Sequence, residues 1–338
     1  MSEFEDLRQA LVSMLKVNLN LRSGEKVAFV SDVPLVMDWE ILTFSELDEL
    51  TRRARMTKAF FQMAREAFPD CAFELICFPQ TGQSGREPPE ETARRFLDFD
   101  VLILMTTYSL SHTNARENAT RRGVRVASMP GVEAGMFVQG GPISADYSSI
   151  ARESLSLAVR LTQGQIVRIT TPRGSDLRFS IAGRSGHADT GLLHQFGQFG
   201  NLPAGESYIA PLEGTAAGRL VVPAGWFPQL YEDMILLFED GYVVEVQGGG
   251  QVGEKFRHLL GFGNESLRHR RNCAELGIGT NPNARNPLNV LEAEKIKGTV
   301  HIAIGDSLHI GGKTESDLHE DFVLPQASVW VDGERILG

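Results

Sequence analysis

Apolar residues recur with helical spacing from residue 4 to residue 19, and Gly24 follows the end of that run, so the chain is expected to open with a helix. KVAFVSD, immediately after, has the continuous apolar character of a buried strand. From Glu46 to Phe68 the positions Leu47, Leu50, Ala54, Phe61, Ala64 and Phe68 are spaced by three, four or seven, which lines up one apolar stripe on a helix. FELICF, DVLILMTTYS and VRVASM then read as strands, separated by the helical stretches PPEETARRFLDF, with prolines at its start, and SHTNARENATRRG. Strands alternating with helices predict an α/β fold whose N-terminal domain, residues 1–145, is a doubly wound parallel sheet.

Past a further helical stretch, Asp146 to Gln163, the pattern changes. IVRITTPRGSDLRFSI reads as a hairpin turning at Pro172 to Ser175, and MILLFEDGYVVEV as one turning at Asp240-Gly241. Residues 146–338 are therefore expected to form a β-rich α+β domain. The run Gly248, Gly249, Gly250 reads as a loop, since neither a GK[ST] ending nor a clear helix start follows it. Near the C-terminus, alternation along GTVHIAIG places Val300, Ile302 and Ile304 on one face and Thr299, His301, Ala303 and Gly305 on the other. Along AELGIG it sets Glu275, Gly277 and Gly279 opposite Ala274, Leu276 and Ile278, and His319 and Asp321 share a face. Twice a metal-capable side chain is followed by residues with almost none, which predicts an open floor beside it.

Composition narrows the function classes. A formal net charge of −10 gives no basic excess to neutralise phosphates, so neither nucleic acid nor an acidic membrane surface is an expected partner. Cys71, Cys77 and Cys273 form no CxxC pair and are expected to be buried free thiols. The N-terminus has no basic stretch followed by an apolar run, and no segment reaches about 18 consecutive apolar residues, so a cytoplasmic protein is expected. Neither GxGxxG after the first strand nor GxxxxGK[ST] occurs, which removes support for a nucleotide cofactor. Tyr108 to Thr113 is a candidate rim at the carboxyl end of a strand, with His112 read as a helix N-terminal residue in a solvent or capping role.

NLPAGESYIAP, ELGIGTNPNA, HIAIGDS, GGKTESDLHED and VWVDG occur in that order between Asn201 and Gly333, and together they resemble the metalloaminopeptidases of the aminopeptidase T and S type. The resemblance implies metal ligands at Glu206, Glu275, His301, His319 and Asp321, and two divalent ions such as zinc, cobalt or manganese. Without metal, two like charges about 4 Å apart repel by about 4 kcal/mol at an intermediate dielectric, so a converged acidic set needs a cation or a proton. The implied activity is hydrolysis of N-terminal residues from short peptides by a metal-activated water, with Glu206 or Glu275 as the catalytic base and the choice between them left open. A homodimer is implied as well, and Tyr208, Trp226, Phe227 and Tyr231 lie near turn-forming residues as candidate interface aromatics. One departure stands out, since the peptidases carry tyrosine where this chain has Leu308, with His309 next to it.

Dihydroxypyridine ring-cleaving dioxygenases are also similar over this region and imply a different chemistry, a mononuclear iron(II) site of two histidines and one carboxylate that His301, His319 and Asp321 would supply. Those enzymes have histidine at the position of Glu275 and no counterpart of His301. A non-catalytic, metal-stabilised binding protein is the third alternative.

Overall fold

The computed structural model describes residues 3–338. They divide into two compact units, one holding the chain up to Tyr147 with Gly191–Ala204, the other Ser148–Thr190 with Gly205–Gly338. Residues 191–204 thus pack in the first unit although they lie beyond the boundary drawn from sequence at 145.

The first unit is built on a five-stranded parallel sheet in the order Ala72–Pro79, Lys26–Val33, Val101–Leu104, Arg125–Ser128, Phe199–Asn201. The chain enters in the second position, visits one edge and then proceeds to the other side, which is the strand order of a doubly wound sheet. The central strands are fully buried and read as continuous apolar runs, as a sheet covered on both faces requires. The long helix Phe44–Ala67 begins two residues earlier than its apolar stripe suggests, because Thr43 and Glu46 cap it reciprocally. Cys77 lies on the edge strand and is exposed, Cys71 is half-buried, and only Cys273 is a buried thiol, so the expectation for all three fails at the two that sit in or beside an edge strand. Thr113, not His112, caps the helix Asn114–Arg121, its Oγ1 accepting from Arg116 N at 3.2 Å while His112 is exposed.

The second unit contains two antiparallel sheets. Seven strands run in the order Tyr242–Gly248, Met234–Glu239, Ala217–Val222, Asp176–Ser180, Ile166–Thr170, Ser328–Val331, Glu334–Leu337. Both hairpins read from sequence are in it, and Asp240 and Gly241 turn the second with φ of 48° and 85°, the left-handed geometry of a two-residue hairpin loop. Five further strands run in the order His319–Leu324, Val300–Gly305, Cys273–Gly279, Glu206–Ile209, His187–Asp189. Leu276, Ile278, Ile302 and Phe322 on one side of this second sheet join Val167, Leu177 and Leu236 of the first in one apolar core. Each such side chain removed from water contributes about 1.5–3 kcal/mol. The glycine run, expected as a loop, leads straight into the helix Gly250–Leu259, with all three glycines at positive φ and Val252 and Phe256 buried on the inner face. Phe227 packs on Phe256 and Phe322 at 5.6 Å between ring centroids, and Tyr208 stacks on His187, so these two aromatics have partners within the chain, while Tyr231 is exposed. Among the described residues no helix is long and apolar enough to cross a membrane.

Candidate metal centre

Antiparallel register gathers the candidate residues on one face of the five-stranded sheet. Glu206 pairs with Gly279, Gly277 with His301, Glu275 with Ala303, Ala303 with Asp321, and Gly305 with His319. Because side chains two apart along a strand share a face, Glu206, Glu275, His301, His319 and Asp321 all project from the side opposite the apolar core. The interleaved small residues make room, although not as an open floor. A Cβ on Gly277 would lie 2.0 Å from the His301 ring, and one on Gly279 would lie 2.1 Å from Ile296 O. The glycines are filled by what crosses them, an imidazole in one case and a neighbouring backbone in the other.

The five side chains form an unbroken line of contacts. His301 Nε2 is 3.5 Å from Glu206 Oε2 and 3.5 Å from Glu275 Oε1, while His319 Nε2 is 3.5 Å from Glu275 Oε2 and 3.6 Å from Asp321 Oδ2. Neither Glu206 Oε2 nor His301 Nδ1, both buried, makes a hydrogen bond. Such orphaned polar atoms are rare in a protein interior and call for a partner. Ligands held about 2.1 Å from one ion sit roughly 3.0–3.4 Å from each other, so this spacing, loose for hydrogen bonds, fits donors arranged around a cation. The donor set of carboxylate oxygens and imidazole nitrogens suits divalent zinc, manganese, cobalt or iron.

Electrostatics point the same way. Burial alone would lower both imidazoles, but Glu275, Glu206 and Asp321 outweigh it at His301, raising it to about 9, and Asp321 and Glu275 raise His319 to about 10. Burial pushes the Asp321 carboxyl up, helped by Glu294 and opposed by His319 and His301, to about 7. Glu275 moves the other way, because its contacts with His301 and His319 outweigh the cost of burial. Burial raises Glu206, against the pull of Lys295 and His301.

Two further residues enter, Lys295, which carries no sequence signal, and His309, which in sequence is only a neighbour of Leu308. Lys295, 1 % exposed, sets Nζ 2.6 Å from Glu206 Oε1 and 2.9 Å from Glu294 Oε2. His309 lies beside His319, ring centroids 4.9 Å apart, and Glu275, His309 and His319 offer three ligand atoms within 4.8 Å of one another. Asp306 organises both histidines. Its Oδ2 is 2.5 Å from His309 Nδ1, and its backbone carbonyl is 2.8 Å from His319 Nδ1. A histidine held through Nδ1–H presents Nε2 as its ligand atom, the arrangement found behind metal-ligating histidines. His301 has no such support at Nδ1. Leu308, at the position of the peptidase tyrosine, is 53 % exposed. The signal for His309 was its place in DSLHIGG, between an aspartate three residues back and two glycines.

A family model described as NicX: 2,5-dihydroxypyridine 5,6-dioxygenase matches residues 80–338. Among solved structures, 2,5-dihydroxypyridine dioxygenase from Pseudomonas putida KT2440 is similar with a TM-score of 0.73 and 18 % identity, covering 100 % of this chain and 96 % of that one. Wild-type AmpT from Thermus thermophilus is similar with a TM-score of 0.60 and 16 % identity, covering 99 % of this chain and 100 % of that one. At those identities the two structures speak for the fold. No curated protein matches the sequence.

Proposed function

The chain belongs to the NicX family of 2,5-dihydroxypyridine 5,6-dioxygenase type, and from that premise we propose that it is a metal-dependent enzyme whose second unit holds one iron(II) ion and opens a small hydroxylated nitrogen heterocycle with dioxygen. The observation that carries this reading is the set Glu275, His309 and His319, two imidazoles beside one carboxylate, with both imidazoles oriented through Nδ1 by Asp306. Two histidines and a carboxylate are the donors typical of non-haem iron(II) oxygenases. Bound there, iron(II) would supply redox chemistry between dioxygen and an electron-rich ring.

The remaining roles fall to the protein's own groups. His301, raised to about 9, holds a proton at neutral pH between Glu206 and Glu275 and is the proton donor of the site. Asp321, raised to about 7, is poised to accept a hydroxyl proton from the substrate near neutrality. Gly277 leaves the space that the His301 ring occupies, where any Cβ would collide with it.

A second reading, the metal-activated-water aminopeptidase with Glu206 or Glu275 as base, is favoured by the unbroken line of contacts from Glu206 through His301, Glu275 and His319 to Asp321. It calls for two ions and short peptides. The discriminating experiment loads the purified chain with iron(II) without air and follows oxygen uptake with 2,5-dihydroxypyridine, in parallel with zinc-, cobalt- or manganese-loaded protein and amino-acid anilides. Oxygen uptake with ring opening is expected. Amide cleavage with two ions per chain and no oxygen uptake would replace the first reading by the second. The homodimer belongs to the proposal too, and light scattering of the metal-loaded protein should give the mass of two chains.

A further inference from the structure

The Glu206 end of the centre already contains a cation. Lys295 Nζ sits 2.6 Å from Glu206 Oε1 and 2.9 Å from Glu294 Oε2, and the side chain is 1 % exposed, so the ammonium is held out of water between two carboxylates. Its backbone is pinned as well. Lys295 N donates to Glu292 O at 3.0 Å, and its carbonyl accepts from Asn281 N at 2.9 Å. Asn281 pairs with Ile296, and Ile296 O passes where a Cβ on residue 279 would stand, so this segment reaches the sheet only because Gly279 has no side chain.

We propose that Lys295 is a built-in counter-cation that takes the place of a second divalent ion and restricts the centre to one. The inference rests on the metal-centre reading above and deepens it. A divalent ion bound to Glu206 would stand within a few ångströms of a buried ammonium that already occupies one carboxylate oxygen, and both would carry positive charge in a poorly solvated space. Lys295 is shared between Glu206 and Glu294, so that end of the centre is already supplied with a cation, while Glu275 and Asp321 stand beside His319 at the other end. Glu206 Oε2 stands 3.5 Å from His301 Nε2, so the carboxylate faces that ring as well as the ammonium. One lysine would thereby separate a single-ion oxidative centre from a two-ion hydrolytic one built on the same sheet.

The test uses the full-length chain and manganese(II), read by elemental analysis and by electron paramagnetic resonance, which distinguishes an isolated ion from a coupled pair. The wild type is expected to hold one ion per chain with an isolated-ion spectrum. Lys295→Met should gain a second ion and a coupled spectrum, Lys295→Arg should stay at one, and Lys295→Met combined with Glu206→Gln should return to one. Two ions in the wild type overturn the proposal while leaving the metal centre intact. One ion in a Lys295→Met protein with wild-type circular dichroism overturns it as well. If Lys295→Met does not fold, the wild type and Lys295→Arg decide, since two ions in either is contrary and one in both is supportive. No ion in the wild type overturns both this proposal and the reading it rests on.

Discussion

Each unit buries a cluster of acids and bases, and the two clusters are satisfied in opposite ways. In the first, Asp32 is 1 % exposed at the carboxyl end of its strand and accepts from Thr107 N at 2.8 and 2.9 Å, from Thr107 Oγ1 at 3.1 Å and from Tyr108 N at 3.3 Å. Arg53 is occupied by Thr107 Oγ1 and Val132 O. Burial raises the Asp32 carboxyl, and those bonds and Arg53 oppose the rise. In the second, Glu206 Oε2 and His301 Nδ1 make no hydrogen bond, and the carboxylate–imidazole contacts stand at 3.5–3.6 Å. Burial of charge alone therefore does not mark a site. A buried acid enclosed by donors ties a loop to a sheet, whereas buried acids and bases set just beyond bonding distance are arranged for a cation.

The comparison breaks most visibly by exchange. His319→Ala or Glu275→Ala should cost more than about 100-fold in metal affinity while circular dichroism stays unchanged, because each removes a direct ligand. Asp32→Ala should do the reverse, lowering stability in urea by about 3 kcal/mol through orphaned backbone donors and leaving metal content as it was. Metal loss in Asp32→Ala would end the distinction. Asp306→Asn, which weakens the hold on His309 Nδ1, should cost about 10–100-fold in metal affinity without unfolding the chain.

The pH dependence follows from the raised His319 imidazole. A proton and a metal compete for Nε2 of His319, and with His319 near 10 that ring is protonated at neutral pH in the metal-free protein. Metal binding at pH 7 should then release a proton, and apparent affinity should climb as pH rises toward about 10. Calorimetry in buffers of different ionisation enthalpy measures the release; affinity that is flat between pH 6 and 9 would contradict it. At the small end, Leu308→Ala should change stability by no more than about 0.5 kcal/mol and leave metal content alone, since that side chain faces solvent.

Much of the fold was legible because its signals are local. Helical spacing, apolar runs and the Asp240-Gly241 turn each depend on neighbours in sequence. Phe199–Asn201 was not legible, because three residues of QFGQFGN carry no alternation and become a strand only through pairing with Arg125–Ser128. At the site, alternation separated His301 from the apolar face, but which residues stand opposite it depends on register, here Gly277 and through it Glu275. Lys295 was hidden for a similar reason, as it follows a short helix in an unremarkable charged stretch and reaches Glu206 only because the Asn281–Ile296 pairing folds it over the sheet. His309 read equally as a donor at the site or as a surface histidine, and what places it beside His319 is the Asp306 side chain on its Nδ1, a contact that spacing alone does not reveal.

The account stands on a single metal position in the second unit. The most direct measurement is the anomalous difference map of a crystal of the iron(II)-loaded protein, collected at the iron edge. One peak per chain is predicted, in contact with Glu275, His309 and His319, with Lys295 still on Glu206. No peak among these residues, or a second peak on Glu206, would contradict it.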